Sequence, residues 1–169
     1  MDNMKKRWVS IYVENEIGVL ARISGLFSGK SYNIDTLSVG ETEDPTVSRM
    51  TIGVTSDDKT FEQIKKQLNR SVEVIKVLDF TDIPIYMKEL MLVKITSCSE
   101  KDKAEAIRIA DVYGVKVVDY NKNTVLLECS LTEQKSASLR KLLRDTFGYR
   151  LEVVRSGAVA IEAVSFTEK

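Results

Sequence analysis

Trp8-Val9-Ser10-Ile11-Tyr12-Val13-Glu14-Asn15-Glu16-Ile17-Gly18-Val19-Leu20 changes its hydrophobic period in mid-course. Val9, Ile11 and Val13 alternate with Trp8, Ser10 and Tyr12, the period of two that marks a strand with one core face. Beyond the polar Glu14-Asn15-Glu16, the residues Val19, Leu20, Ile23, Leu26 and Phe27 recur at three- and four-residue spacing. That spacing is the inner stripe of an amphipathic helix over Gly18 to Lys30, which Gly29 helps to end. Outward from this strand-to-helix passage, Ile34 to Thr42 and Val47 to Thr55 read as a hairpin turned by Glu43-Asp44-Pro45, residues that form turns and sit badly inside strands. Asp57 and Asp58 open a second helix carrying Phe61, Ile64 and Leu68 on one face, and Glu73 to Phe80 returns as a strand. The order is βαββαβ.

The same order comes again. Leu90 to Thr96 reads as a strand, and Glu100 to Tyr113 as a helix with Ala104, Ile107 and Ala110 inward. Val115 to Tyr120 and Thr124 to Ser130 pair around Asn121-Lys122-Asn123. Thr132 and Glu133 open a helix with Leu139, Leu142 and Leu143 on one face, and Tyr149 to Val154 closes the set. The reading is an α+β chain of two ferredoxin-like βαββαβ domains in tandem: 1–80, a linker at 81–88 and 89–169. Each would be a four-stranded antiparallel sheet with helices on one face. The other face, carrying Trp8 and Tyr12, is left uncovered, so at least a dimer is expected.

Composition narrows the chemistry. The chain is 43% hydrophobic, enough to bury a core, and its 25 Lys plus Arg equal its 25 Asp plus Glu, so no excess of positive charge suits nucleic acid or an anionic membrane. No uncharged apolar run reaches the roughly 18 residues that span a bilayer. Cys98 and Cys129 stand far apart with no C-x-x-C, which fits a reducing cytoplasmic compartment better than a disulfide or zinc scaffold. Histidine is absent, which removes Ser-His-Asp, Cys-His and histidine-metal sites together. Neither a dinucleotide nor a triphosphate glycine loop is present, so no catalytic residue and no metal ligand is assigned.

One segment has the character of a site. At Glu14 to Leu20 a helix begins just after a strand, and a helix start leaves up to four N–H donors unpaired under a partial positive charge. A carboxylate there gains roughly 0.3 to 2 kcal/mol. Gly18 removes a Cβ, and Asn15 offers an oxygen to an ammonium group, so one short stretch can meet both ends of an amino acid. The plainer reading is that Asn15 only caps the helix. Asn33 is equally at home in a structural turn, Arg49 as an exposed cross-strand partner of an acidic residue, and Arg155-Ser156-Gly157 as a solvated turn or an anion contact.

At these same residues the chain resembles a known family. Glu14-Asn15, Gly18-Val19-Leu20, Gly25-Leu26-Phe27-Ser28, Tyr32-Asn33-Ile34 and Asp44-Pro45-Thr46-Val47-Ser48-Arg49-Met50-Thr51 resemble the small regulatory subunit of acetohydroxyacid synthase (acetolactate synthase). Lys88 to Ile95 is similar to the opening strand of its C-terminal domain, and Arg155-Ser156-Gly157 to its closing motif. The resemblance implies an N-terminal ACT domain followed by an ACT-like domain. It also implies a homodimer and a branched-chain amino acid effector, valine foremost, held by the amides of Gly18, Val19 and Leu20 with Asn15 and with Asn33 of the neighbouring chain. The second domain would engage and activate the catalytic large subunit. This chain would hold no cofactor; thiamine diphosphate, magnesium and FAD would belong to that partner. Ile17 stands where the family commonly has proline or a small residue and Ser31 where it commonly has glycine, both flanking the site; a bulky Ile17 would narrow the pocket or weaken feedback. The competing readings are a stand-alone amino-acid sensor, an RNA-binding sheet and an independent enzyme; Ser48 to Thr55 lacks the paired aromatics that the RNA reading needs.

Overall fold

The computed structural model describes residues 4–30 and 32–164. It divides into two compact units, Met87–Gly157 forming one and the residues up to Tyr86 together with those from Ala158 the other.

In the first unit the elements are β1 (Lys5–Glu14), α1 (Val19–Ser28), β2 (Thr36–Glu41), β3 (Val47–Ser56), α2 (Asp58–Leu68) and β4 (Val74–Asp79), in a sheet ordered β2-β3-β1-β4. β1 pairs antiparallel with both neighbours, so Val9, Ile11 and Val13 face Ile52, Met50 and Ser48 across the ladder to β3. They pack with Val19, Ile23 and Phe27 of α1 and Phe61, Ile64 and Leu68 of α2 in one core. Each such side chain is worth about 1.5–3 kcal/mol in burial. α2 is capped by Asp57, whose carboxylate accepts from the Thr60 amide at 2.6 Å.

The second sheet repeats the pattern with β5 (Ile85–Ile95), α3 (Glu100–Tyr113), β6 (Lys116–Tyr120), β7 (Val125–Leu131), α4 (Glu133–Phe147) and β8 (Leu151–Glu162), ordered β6-β7-β5-β8, the first two residues of β5 and the stretch of β8 from Ala158 being counted in the first unit. The α+β tandem read from the sequence is therefore the architecture found, with three corrections. The segment 81–88 is not all linker, because β5 already begins at Ile85. β8 runs to Glu162 instead of ending near Val154, carrying Arg155-Ser156-Gly157 inside a strand and not in a turn. On α3 the buried stripe is Ala106, Ile109 and Ala110, while Ala104 and Ile107 face out.

The start of α3 is held by a capping box in which the Asp102 amide donates to Ser99 Oγ, and Asp102 accepts from the Ser99 amide at 2.8 Å. Arg150, just before β8, adds two bonds to the same carboxylate at 3.0 and 3.2 Å. The Arg150 guanidinium, followed by Ser99, holds the Asp102 carboxyl far below the usual carboxylate range. A depressed native value stabilises the fold above the unfolded value near pH 4 and stops doing so as pH falls through it. The expected result is that Arg150→Ala lowers the urea midpoint fully at pH 7, and that the gap from the parent chain narrows below about pH 4. Circular dichroism at a series of pH values measures it.

Candidate functional site

β1 hands over to α1 through Asn15, and that residue is fixed from three directions. Its amide donates to Thr46 O at 2.7 Å, its Nδ2 to Pro45 O at 2.9 Å, and its Oδ1 accepts from Ser48 Oγ at 2.9 Å. Glu41 Oε1 lies 3.5 Å from Nδ2. Asn15 is thus tied to the β2–β3 turn and does not cap α1, which has no side-chain cap. Ser48 and Glu41 were not legible as partners of Asn15, since the turn that delivers them lies about 30 residues further along the chain.

Gly18 takes the capping position with φ 86°, in the left-handed region that side chains with a Cβ enter at a cost of about 1–2 kcal/mol. The chain then turns so that the first amides of α1 open outward. The Arg22 amide closes on Gly18 O at 3.0 Å and that of Val19 reaches Glu16 O only at 3.3 Å. Among the described residues, the amides of Gly18, Leu20 and Ala21 make no hydrogen bond. No acidic residue lies in the first turn to neutralise them. Val19 points its side chain into the core, Leu20 is partly exposed, and Ile17 is fully exposed beside the helix start. Arg22 pairs with Glu73 at 2.5 Å and so walls one side. The arrangement is an anion cradle with an apolar rim.

Asn33 lies elsewhere. It is exposed and bonds Asp35 at 3.3 Å, beyond the end of α1 and next to the Ser56 end of β3, whereas Asn15 is at the Val47 end. A ten-residue strand separates the two ends by about 30 Å, so one chain cannot bring both asparagines to one ligand. Ser31 lies outside the described residues.

Arg49 is not the exposed partner of an acidic residue expected for it. On the sheet face away from the helices it donates to Ser10 Oγ at 2.8 Å and to Ala160 O at 3.0 Å and lies 5.1 Å from the Tyr12 ring. The chain's own C-terminal segment therefore covers part of the face that the sequence leaves open, and Ser10 is fully buried there. Among the described residues no group of His, Cys, Asp and Glu is placed to hold a metal ion. No helix among them is long and apolar enough to cross a membrane.

Residues 9–76 match the family model described as the AHAS small subunit-like ACT domain, and residues 88–164 match that of the small subunit of acetolactate synthase. The chain is 42% identical over 158 residues to the acetolactate synthase small subunit of Aquifex aeolicus, covering 94% of this chain and 81% of that protein. It is 37% identical over 156 residues to the acetolactate synthase isozyme 3 small subunit of Salmonella typhimurium, covering 92% and 94%. The crystal structure of the acetolactate synthase small subunit from Thermotoga maritima superposes with a TM-score of 0.82 at 31% identity, covering 94% of this chain and 98% of that one. With both halves matched in order, the chain belongs to the family of acetolactate synthase small subunits.

Proposed function

We propose that this chain is the non-catalytic regulatory subunit of an acetolactate synthase in the cytoplasm, and that it senses valine or a related branched-chain amino acid at the start of α1. The observation that carries the reading is the open set of amides at Gly18, Leu20 and Ala21 beside the anchored Asn15. The amino acid's carboxylate sits on those amides and on Val19. Its ammonium group meets the Asn15 carbonyl oxygen, and its aliphatic side chain lies against Ile17 and Leu20. Feedback then follows from a coupling of about 1 to 3 kcal/mol between this site and the catalytic partner.

A homodimer completes the site. β2 is an edge strand with an open ladder, and its Glu41 end adjoins Asn15 while its Thr36 end follows Asn33. Antiparallel pairing of β2 with β2 of a second copy lays the Thr36 end of one against the Glu41 end of the other. That pairing carries the partner's Asn33 toward Asn15, which supports an effector held by both chains. The second unit engages the catalytic subunit, where thiamine diphosphate, magnesium and FAD are bound; a stand-alone sensor would leave its match to the small-subunit family without a role.

Isothermal titration of valine, leucine and isoleucine into the purified chain tests this site. Asn15→Ala and Asn33→Ala are each expected to weaken binding by about 10- to 100-fold, as the loss of a hydrogen bond to a charged group does. Valine binding untouched by both changes would place the effector elsewhere.

A further inference from the structure

A second cradle lies in the other unit. Arg140 and Arg144 stand one turn apart on α4, and Arg155 reaches toward them from β8. Together with Gly148, Leu151 and Val153 they line a cleft of about 410 Å³, a small-molecule volume, and no acidic residue is among the lining. Arg155 is held in place by Glu89, which is buried on the core face of β5 and takes its Nε at 3.3 Å and its Nη2 at 2.5 Å. Its Nη1 is left over. Arg140 and Arg144 have no ionic partner among the described residues, and the Arg140 Nε is a buried donor with nothing to bond. A buried unsatisfied N–H is uncommon and costly.

We propose that this cleft binds the phosphoryl or diphosphoryl group of a small molecule. The charge count is three guanidinium groups against one carboxylate that is already bonded to one of them. A ligand carboxylate would be saturated by a single fork, whereas a diphosphoryl group presents enough oxygens to take the Arg140 and Arg144 guanidinium groups together with the donor that Arg155 does not give to Glu89. Leu151 and Val153 form an apolar floor for whatever the phosphate is attached to. Glu89 is a positioning residue that sets the Arg155 fork.

The test is calorimetric titration of inorganic diphosphate and, separately, adenosine diphosphate into the full chain and into Arg140→Met and Arg144→Met. Arg108→Met, an exposed α3 arginine paired with Glu105, serves as the control. Saturable binding of one diphosphate per chain is expected, at least tenfold weaker in each α4 variant and unchanged in the control. Tighter binding of the nucleotide identifies an attached organic group, and equal binding identifies free diphosphate as sufficient. Thermal melts by circular dichroism confirm that the variants fold. No saturation with either probe, or equal affinity in all four proteins, overturns the proposal. Loss of catalytic-subunit association in the variants without diphosphate binding assigns the cleft to an acidic protein surface and overturns it as well.

Discussion

Gly18→Asp is expected to weaken valine binding by 50-fold or more in a chain that stays folded. Two effects add. Any side chain at φ 86° costs about 1–2 kcal/mol of backbone strain, which the chain relieves by moving the very amides that face the ligand. A carboxylate at the helix start then occupies the positive end that the ligand's own carboxylate needs and repels it. Together these exceed about 2.3 kcal/mol, or 50-fold. The new Cβ itself has room, since its nearest neighbour is the flexible end of Arg22 at 3.1 Å, so the fold survives. Gly18→Ala separates the two effects, carrying the strain without the charge, and is expected to bind with intermediate affinity. Calorimetry reads both, and full affinity in Gly18→Asp would remove the α1 start from the site.

Arg155→Met carries the largest expected loss of stability. Glu89 lies on the face of β5 that also carries Met91, Val93 and Ile95, and among the described residues its buried carboxylate is bonded by the side chain of Arg155 alone. Removing the arginine leaves an uncompensated buried charge, a change that costs about 3–5 kcal/mol in comparable pairs. Because Arg155 is 27% exposed, the lower figure applies, about 3 kcal/mol. Hydrogen exchange at the Met91, Val93 and Ile95 amides should accelerate by about 100-fold, while the Ile11 and Ile52 amides of the other unit keep their protection. Adding Glu89→Leu to Arg155→Met should recover most of the loss, because a well-packed apolar pair replaces the ionic one at little cost. A single variant as stable as the parent would mean that Glu89 has other support.

The sequence carried the fold further than the site. Period two in Val9, Ile11 and Val13 and period 3.6 from Val19 to Phe27 set the element order, because one buried face leaves no other register. Where two stripes compete the pattern misleads. Ile107 and Ile109 are equally apolar, and only the packing of α3 turns Ile109 in and Ile107 out. The length of β8 was hidden by Ser156-Gly157, which spells a turn. Gly157 does take φ 78°, yet the strand continues through it. Gly18 could be read locally because its role depends on its immediate neighbours. Asn15 was legible as a polar residue at a helix start, but its anchoring to Pro45 and Ser48 depends on a distant turn, and the Arg49 bond to Ala160 spans 111 positions. Contacts at that range leave no trace in local spacing.

The most direct test of the regulatory role is the rate of acetolactate formation by the purified catalytic subunit, measured alone, with this chain added, and with both chain and valine present. A rate that rises on addition of the chain and falls again with valine, in a manner that Gly18→Asp cancels, is the predicted result. A catalytic rate that this chain leaves unchanged, with or without valine, would contradict the account.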